Sequence, residues 1–171
     1  MCGETSRSTA SVFSLDARLL RALRTRGHSE PAESALIALA RSGEHGVGWY
    51  VIALAGVLLD PHRRPVYVRA ARTVAIATLA NYPVKLLVGR RRPELAGLPP
   101  LVSTISSRSY PSAHATTSFA AAGALAHALP AAPLYALASA MAFTRPYLGV
   151  HYPSDVVGGA MLGAALEKLV P

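Results

Sequence analysis

The chain has a single cysteine, Cys2. A disulfide framework is therefore excluded. Charged residues are also scarce, at 15%, where soluble domains carry about 25%. Acidic residues are the scarcest: nine Asp and Glu stand against 17 Lys and Arg, for a net charge of +8. No acidic cluster is present to hold a hard cation, so neither a metal nor another cofactor is expected. Aromatics make up only 6%, so the 51% of hydrophobic residues are mainly Ala, Leu and Val. Most of the long apolar stretches are interrupted by a charged residue: Lys85, Arg145 and Asp155 each fall within one. In residues 1–30, Arg18, Arg21, Arg24 and Arg26 break any apolar core, so no secretory signal peptide is expected. What remains is an apolar chain of mean hydropathy +0.32. That composition suits a membrane bundle packed through small residues better than an Ala-rich soluble bundle.

The basic excess implies acidic partners. Because the Lys and Arg residues lie beside apolar stretches, anionic lipid or a lipid-linked phosphate is expected, and nucleic acid is not. Residues 1–41 read as an N-terminal tail followed by amphipathic interfacial helices. Val12, Leu15, Leu19 and Leu23 fall at helical spacing within 12–27. A second short helix starts at Glu30, with Pro31 in its first turn and Gly43 near its end. Residues 42–171 read as the catalytic domain, an all-α, multi-pass bundle of about five spans judged by apolar length. The stretches are 42–60, 72–89, 113–129, 133–150 and 153–170.

Charges inside apolar stretches are costly, about 2.5–3.5 kcal/mol each near a bilayer centre on insertion scales. Here they fall toward stretch ends. Alternating direction brings the end of the second stretch, the start of the third, the end of the fourth and the start of the fifth to one face. Lys85, Arg92, His114, Arg145, His151 and Asp155 then converge. Lys85 and Arg92, seven residues apart, are expected on one helix face. Ser112 and His114 are expected at a positive helix start. Three cations, a hydroxyl and helix-start amides suit a tetrahedral oxyanion. Of two histidines, one can attack phosphorus while a carboxylate holds its other nitrogen, and one can protonate the leaving oxygen. Asp155, four residues after His151, is the carboxylate at hand.

These stretches resemble the type 2 phosphatidic acid phosphatase (PAP2) superfamily, whose pattern is K-x6-RP, PSxH and SR-x5-H-x3-D. Here it reads Lys85, Arg92-Pro93, then Pro111-Ser112-Ala113-His114, then Thr144-Arg145, His151 and Asp155. Thr144 replaces the usual serine and keeps its hydroxyl. The resemblance spans 72–170. It implies His151 as nucleophile through a phosphohistidine, Asp155 as its partner and His114 as general acid. Lys85, Arg92, Ser112 and Arg145 would bind phosphate, with no metal. "SGEHGVGW" and "YLGVHYPSDVVGGA" are closer to the small actinobacterial branch. The substrate this implies is decaprenylphosphoryl-5-phosphoribose, in arabinan precursor synthesis for the cell wall. A polyprenyl pyrophosphate or phosphatidic acid is the alternative substrate, and a non-catalytic protein binding anionic lipid is the alternative class.

Other residues carry weaker expectations. Arg90 and Arg91 suit headgroup attraction or substrate contact equally. His28, His45, His62 and His127 read as structural or surface groups. Trp49, Tyr50, Tyr67 and Tyr82 read as interfacial aromatics. Gly158, Gly159 and Gly163 should allow close helix packing within the chain, with a homo-oligomer face as the alternative. The expected location is the cell (inner) membrane. With five spans, twelve Lys and Arg lie on the site face against five opposite, which puts the site in the cytoplasm by the positive-inside rule.

Overall fold

The computed structural model describes the backbone of residues 4–171 and side chains from residue 15 onward. Cys2 and the side chain of Val12 lie outside the described residues. The fold is all-α. Its helices are α1 (Glu4–Thr25), α2 (Glu30–Ser42), α3 (Val47–Leu59), α4 (Arg64–Val88), α5 (Ala113–Leu125), α6 (Ala131–Tyr147) and α7 (Pro153–Leu169). Short 3-10 turns at Glu44–Gly46 and Pro61–Arg63 precede α3 and α4. The one extended pairing among the described residues is the isolated bridge between Arg91 and Arg108.

The helix boundaries follow local chemistry. Ser29 caps α2 by accepting from the Ala32 amide at 3.4 Å, with Pro31 in the first turn and Glu30 and Glu33 at the positive end. Helix α4 runs through Pro83 and stops at Gly89, which is left-handed at φ 64 and donates its amide to the Lys85 carbonyl at 3.1 Å. That stop corrects one expectation. Arg92 lies beyond the helix and shares no helical face with Lys85. Arg108 closes the same end, donating to the Leu86 carbonyl at 2.8 Å.

Helix α5 is the axis of the bundle, with every residue from Ala115 to Leu125 buried except Phe119. Its hydroxyls are satisfied inside the core: Thr116 and Thr117 each donate to the carbonyl four residues back at 3.0 Å. Helix α7 approaches α5 through glycines. A Cβ on Gly159 would sit 2.5 Å from the Ser112 carbonyl oxygen, and one on Gly163 would fall on the Thr116 carbonyl. The small-residue spacing is thus used within the chain. Two aromatics differ from expectation. Trp49 and Tyr67 are core residues, 1% and 2% exposed. Trp49 donates to Ser118 at 3.0 Å, and the Tyr67 ring covers Gly56. Tyr82, at 66% exposed, faces outward as an interfacial ring would.

Helices α3 to α7 fall on the five stretches expected to span. No helix among the described residues is long and apolar enough to cross a membrane. Helix α5, for example, has 13 residues, about 20 Å at the usual rise. Yet the bundle turns aliphatic residues outward: Leu59, Leu79, Leu87, Met161 and Leu169 are all at least 68% exposed, around an interior rich in Ala, Gly and Thr. One end of the bundle is closed by Arg69, which pairs with Glu167 at 3.0 Å and donates to the Val170 carbonyl at 2.9 Å. The other end carries the site.

Candidate active site

Four helix ends meet at that end: the C-termini of α4 and α6 and the N-termini of α5 and α7. They bring Lys85, Arg92, His114, Arg145 and His151 around one cleft of about 490 Å³. Lys85 comes from the last turn of α4 and Arg145 from the last turn of α6. Arg92 is delivered by the loop that pairs with itself through the Arg92 amide and Ser107 carbonyl, 3.1 Å apart.

His151 is 2% exposed, and its two ring nitrogens are distinguished by their neighbours. Nε2 lies 3.1 Å from the Arg92 Nη1. A guanidinium only donates, so Nε2 must present its lone pair and the proton must sit on Nδ1. Nδ1 faces Asp155 Oδ2 at 3.5 Å. Burial first, then the charges of Arg92 and Arg145, push His151 down to about 3, against the opposing effect of Asp155. The ring is therefore neutral near pH 7, as a nitrogen nucleophile must be.

Asp155 is wholly buried, and two donors hold its carboxylate. Oδ2 accepts from the Tyr152 amide at 2.8 Å, and Oδ1 accepts from Arg90 at 2.9 Å. Arg90 also reaches Asp16 of α1 at 2.8 Å and lies 4.0 Å above the Tyr152 ring. Asp16 accepts in turn from the Ser154 amide at 3.0 Å and from the Ser154 hydroxyl. Burial alone would raise the Asp16 carboxyl, but these bonds from Ser154 and Arg90 hold it below its usual range. Arg90 ties α1 to the carboxylate behind His151. No local spacing in the sequence announces this link.

Ser112 departs from the rest. It is 0% exposed and caps α5, accepting from the Ala115 amide at 3.5 Å, while its own amide donates to the Asp155 carbonyl at 2.9 Å. Its hydroxyl does not line the cleft. Thr144 is likewise buried, donating to the Met141 carbonyl at 2.6 Å.

His114 lines the cleft from the first turn of α5, with Nε2 3.0 Å from the Ala40 carbonyl of α2. A carbonyl only accepts, so Nε2 carries the proton. A Cβ on Gly43 would stand 3.1 Å from the His114 ring. The turn after α2 adds Glu44 and His45 to the cleft wall. His45, expected as structural or surface, holds φ 53, outside the usual range for a residue with a side chain. His28, in contrast, is structural: it stacks on Tyr147 at 4.1 Å and bonds Glu33 at 2.9 Å.

Comparison with known proteins concerns the chain as a whole. The PAP2 superfamily model matches residues 66–171. The chain is 39% identical to decaprenylphosphoryl-5-phosphoribose phosphatase of Mycobacterium tuberculosis (strain ATCC 25618 / H37Rv), over 77% of this chain and 75% of that protein. It is 42% identical to the protein of the same name from Mycolicibacterium smegmatis, over 71% of this chain and 68% of that one. A crystal structure of a transmembrane PAP2-type phosphatidylglycerolphosphate phosphatase from Bacillus subtilis superposes with a TM-score of 0.76 at 25% identity. That match covers 94% of this chain and 84% of that one. With the family model covering more than half of the chain, and relatives this similar over most of it, the chain belongs to the PAP2 superfamily.

Proposed function

We propose that the protein is a metal-independent membrane phosphatase that removes the terminal phosphate of decaprenylphosphoryl-5-phosphoribose through a phosphohistidine at His151. The observation that carries the chemistry is the orientation of that ring: a lone pair at Nε2 in a cationic cleft, and a proton at Nδ1 facing Asp155. Relatives named for this substrate, at 39% and 42% identity, support the choice of substrate.

Lys85, Arg92 and Arg145 bind the phosphate oxygens and stabilise charge on them as phosphorus becomes five-coordinate. His151 Nε2 forms the N–P bond while the bond to the ester oxygen breaks, and His114 gives that oxygen a proton. Water then attacks phosphorus, His114 takes the water's proton, the N–P bond breaks and inorganic phosphate leaves. The neutral His114 ring has only the proton it shares with Ala40. Either that contact breaks in the first half-reaction, or the ring enters it doubly protonated. Asp155 does not change protonation; it orients His151 and stabilises the cation formed there. Ser112 acts through α5, fixing the helix start beside the phosphate.

The protein works in the cell membrane, embedded through the five stretches that carry α3 to α7, with 1–41 at the interface and the site on the cytoplasmic face. The bonds of Asp16 and Arg24 support this topology. Asp16 joins Ser154, and Arg24 donates to the Tyr147 and Pro99 carbonyls at 3.3 and 2.7 Å. Both ends of that segment of α1 thus lie along the site face, as expected for a helix that lies at the interface instead of spanning.

The decisive experiment is phosphate release by purified protein from a panel presented side by side: a phosphoribosyl polyprenyl phosphate, a polyprenyl pyrophosphate and phosphatidic acid. The first should be the best substrate, with activity unchanged in chelator and inhibited by vanadate. No release from any of the three would favour the non-catalytic lipid-binding reading. Activity lost in chelator and restored by magnesium would exclude the metal-free route.

A further inference from the structure

A second, smaller chamber of about 250 Å³ opens beside the catalytic cleft, lined by Ile37, Ala40, Arg41, Glu44, Leu101, Val102, Ser103 and Arg145. The two spaces share Glu44, Ser103 and Arg145 as walls. Three features set the chamber apart from a simple extension of the phosphate site. Arg145 is 6% exposed, and its Nε is buried with no hydrogen-bond partner, a donor without an acceptor in the protein. Arg41 adds a second cation beyond it. Glu44 is the one carboxylate lining either space among the described residues.

A carboxylate beside a phosphate site repels an anion, and the repulsion is offset when the ligand brings donors to it. Sugar hydroxyls are such donors. Isoleucine, leucine and valine on the remaining walls give the chamber an apolar side, which suits the hydrocarbon end of a lipid diester. A lipid carrying one terminal phosphate directly on its chain would use the cations of the cleft and make no use of Glu44 and Arg41, both exposed at the chamber's mouth.

We propose that this chamber is the leaving-group subsite. Glu44 and Ser103 bind the hydroxyls of a sugar, and Arg41 binds the phosphodiester that joins the sugar to its lipid. Arg145, in the shared wall, spans both phosphates. The inference rests on the substrate class proposed above and assigns the residues that would select it. Arg41 and Glu44 are specificity residues; neither touches the reacting phosphorus.

The test compares two substrates in the purified full-length protein: farnesylphosphoryl-5-phosphoribose, and farnesyl phosphate, which lacks sugar and diester. Arg41→Gln and Glu44→Gln should each lower kcat/KM for the first by tenfold or more, mainly through KM. Turnover of farnesyl phosphate should not fall in Arg41→Gln, because Arg41 lines the chamber and not the catalytic cleft. Farnesylphosphoryl-ribose, which has no terminal phosphate, should inhibit the wild type competitively, and Arg41→Gln should weaken that inhibition at least tenfold. Equal losses on both substrates, or no loss on either, would overturn the subsite. A wild type that hydrolyses only farnesyl phosphate would overturn the substrate proposal instead. In that case the subsite stands if farnesylphosphoryl-ribose still inhibits through Arg41, and falls if it does not.

Discussion

Asp16 and Arg90, 74 positions apart, form a largely buried ion pair of 2.8 Å that ends on the carboxylate behind His151. Helix α1 is thereby part of the site's support. Removing one member of a buried charged pair typically costs about 3–5 kcal/mol. Asp16→Ala should cost toward the lower end, because Asp155 still accepts from Arg90. The expected result is a lower melting temperature in detergent together with lower kcat at unchanged substrate selectivity. An Asp16→Ala protein with wild-type stability and kcat would show that the link bears on neither.

His151→Ala should abolish turnover while the protein stays folded, and alkali-quenched wild type should carry a phosphoryl group that is lost in acid and that the variant lacks. His114→Ala should retain phosphate binding and lose about 10²–10⁴-fold in rate, the usual worth of positioned proton transfer. Rapid quench with radiolabelled substrate reads both. Full activity in His151→Ala would rule out the phosphohistidine.

The depressed His151 value has a consequence for stability. An unfolded histidine titrates near 6.5, whereas the folded ring is held down to about 3. Between these values the unfolded chain binds the extra proton, so stability is fully present above about 6.5 and falls as pH drops toward 3. Denaturation midpoints of wild type and His151→Ala, compared from pH 7 to pH 4, should show the steeper acid loss in wild type. Parallel curves would mean that the ring does not titrate as its burial implies.

The site was legible in the sequence where its residues sit at helix ends at fixed spacing. Lys85, His114, Arg145, His151 and Asp155 come from four helix ends, and counting directions sufficed to converge them. Arg92 reached the cleft by a different route. Gly89 ends α4 and a loop delivers the arginine, a stop that spacing alone did not reveal. Asp16 and Ala40 were missed, and Arg90 was assigned to headgroup or substrate, for physical reasons. The ion pair joins distant segments, and Ala40 contributes a backbone carbonyl, which no side-chain pattern encodes. One carboxylate among the four arginines of 12–27 was the only available sign of Asp16. Trp49 and Tyr67 were misassigned because aromatics near stretch ends look alike whether they face lipid or core. Their burial depends on Ser118 and Gly56, residues on which the spacing is silent.

The contact between α5 and α7 makes a sharp packing prediction. A Cβ at Gly163 meets backbone, which cannot move aside as a flexible side chain could. Gly163→Ala should destabilise by about 1–3 kcal/mol, the typical cost of overpacking. The cost should rise with side-chain size and pass to the site, because the Asp155 carbonyl and Ser112 amide bond across the same helix pair at 2.9 Å. Thermal stability and kcat should fall together along Gly163→Ala, Gly163→Val and Gly163→Leu. Tolerance of leucine would mean that α7 stands off from α5 in the membrane.

The direction the site faces can be tested at Ser103, exposed in the loop that walls both cavities. The positive-inside rule weighs Lys and Arg near crossing ends, and the site face holds twelve against five. Lys85, Arg92 and Arg145 belong to the cleft, and discounting them still leaves the larger count on that side. The balance depends on α1 not crossing, since a crossing there would carry its arginines to the other face. Asp16 and Arg24, both bonded along the site face, argue against that. In a protein with Cys2→Ser and Ser103→Cys, a membrane-impermeant thiol reagent should fail to label intact cells and should label inverted vesicles. Labelling of intact cells would place the cleft outside and require the N-terminal helices to lie there with it.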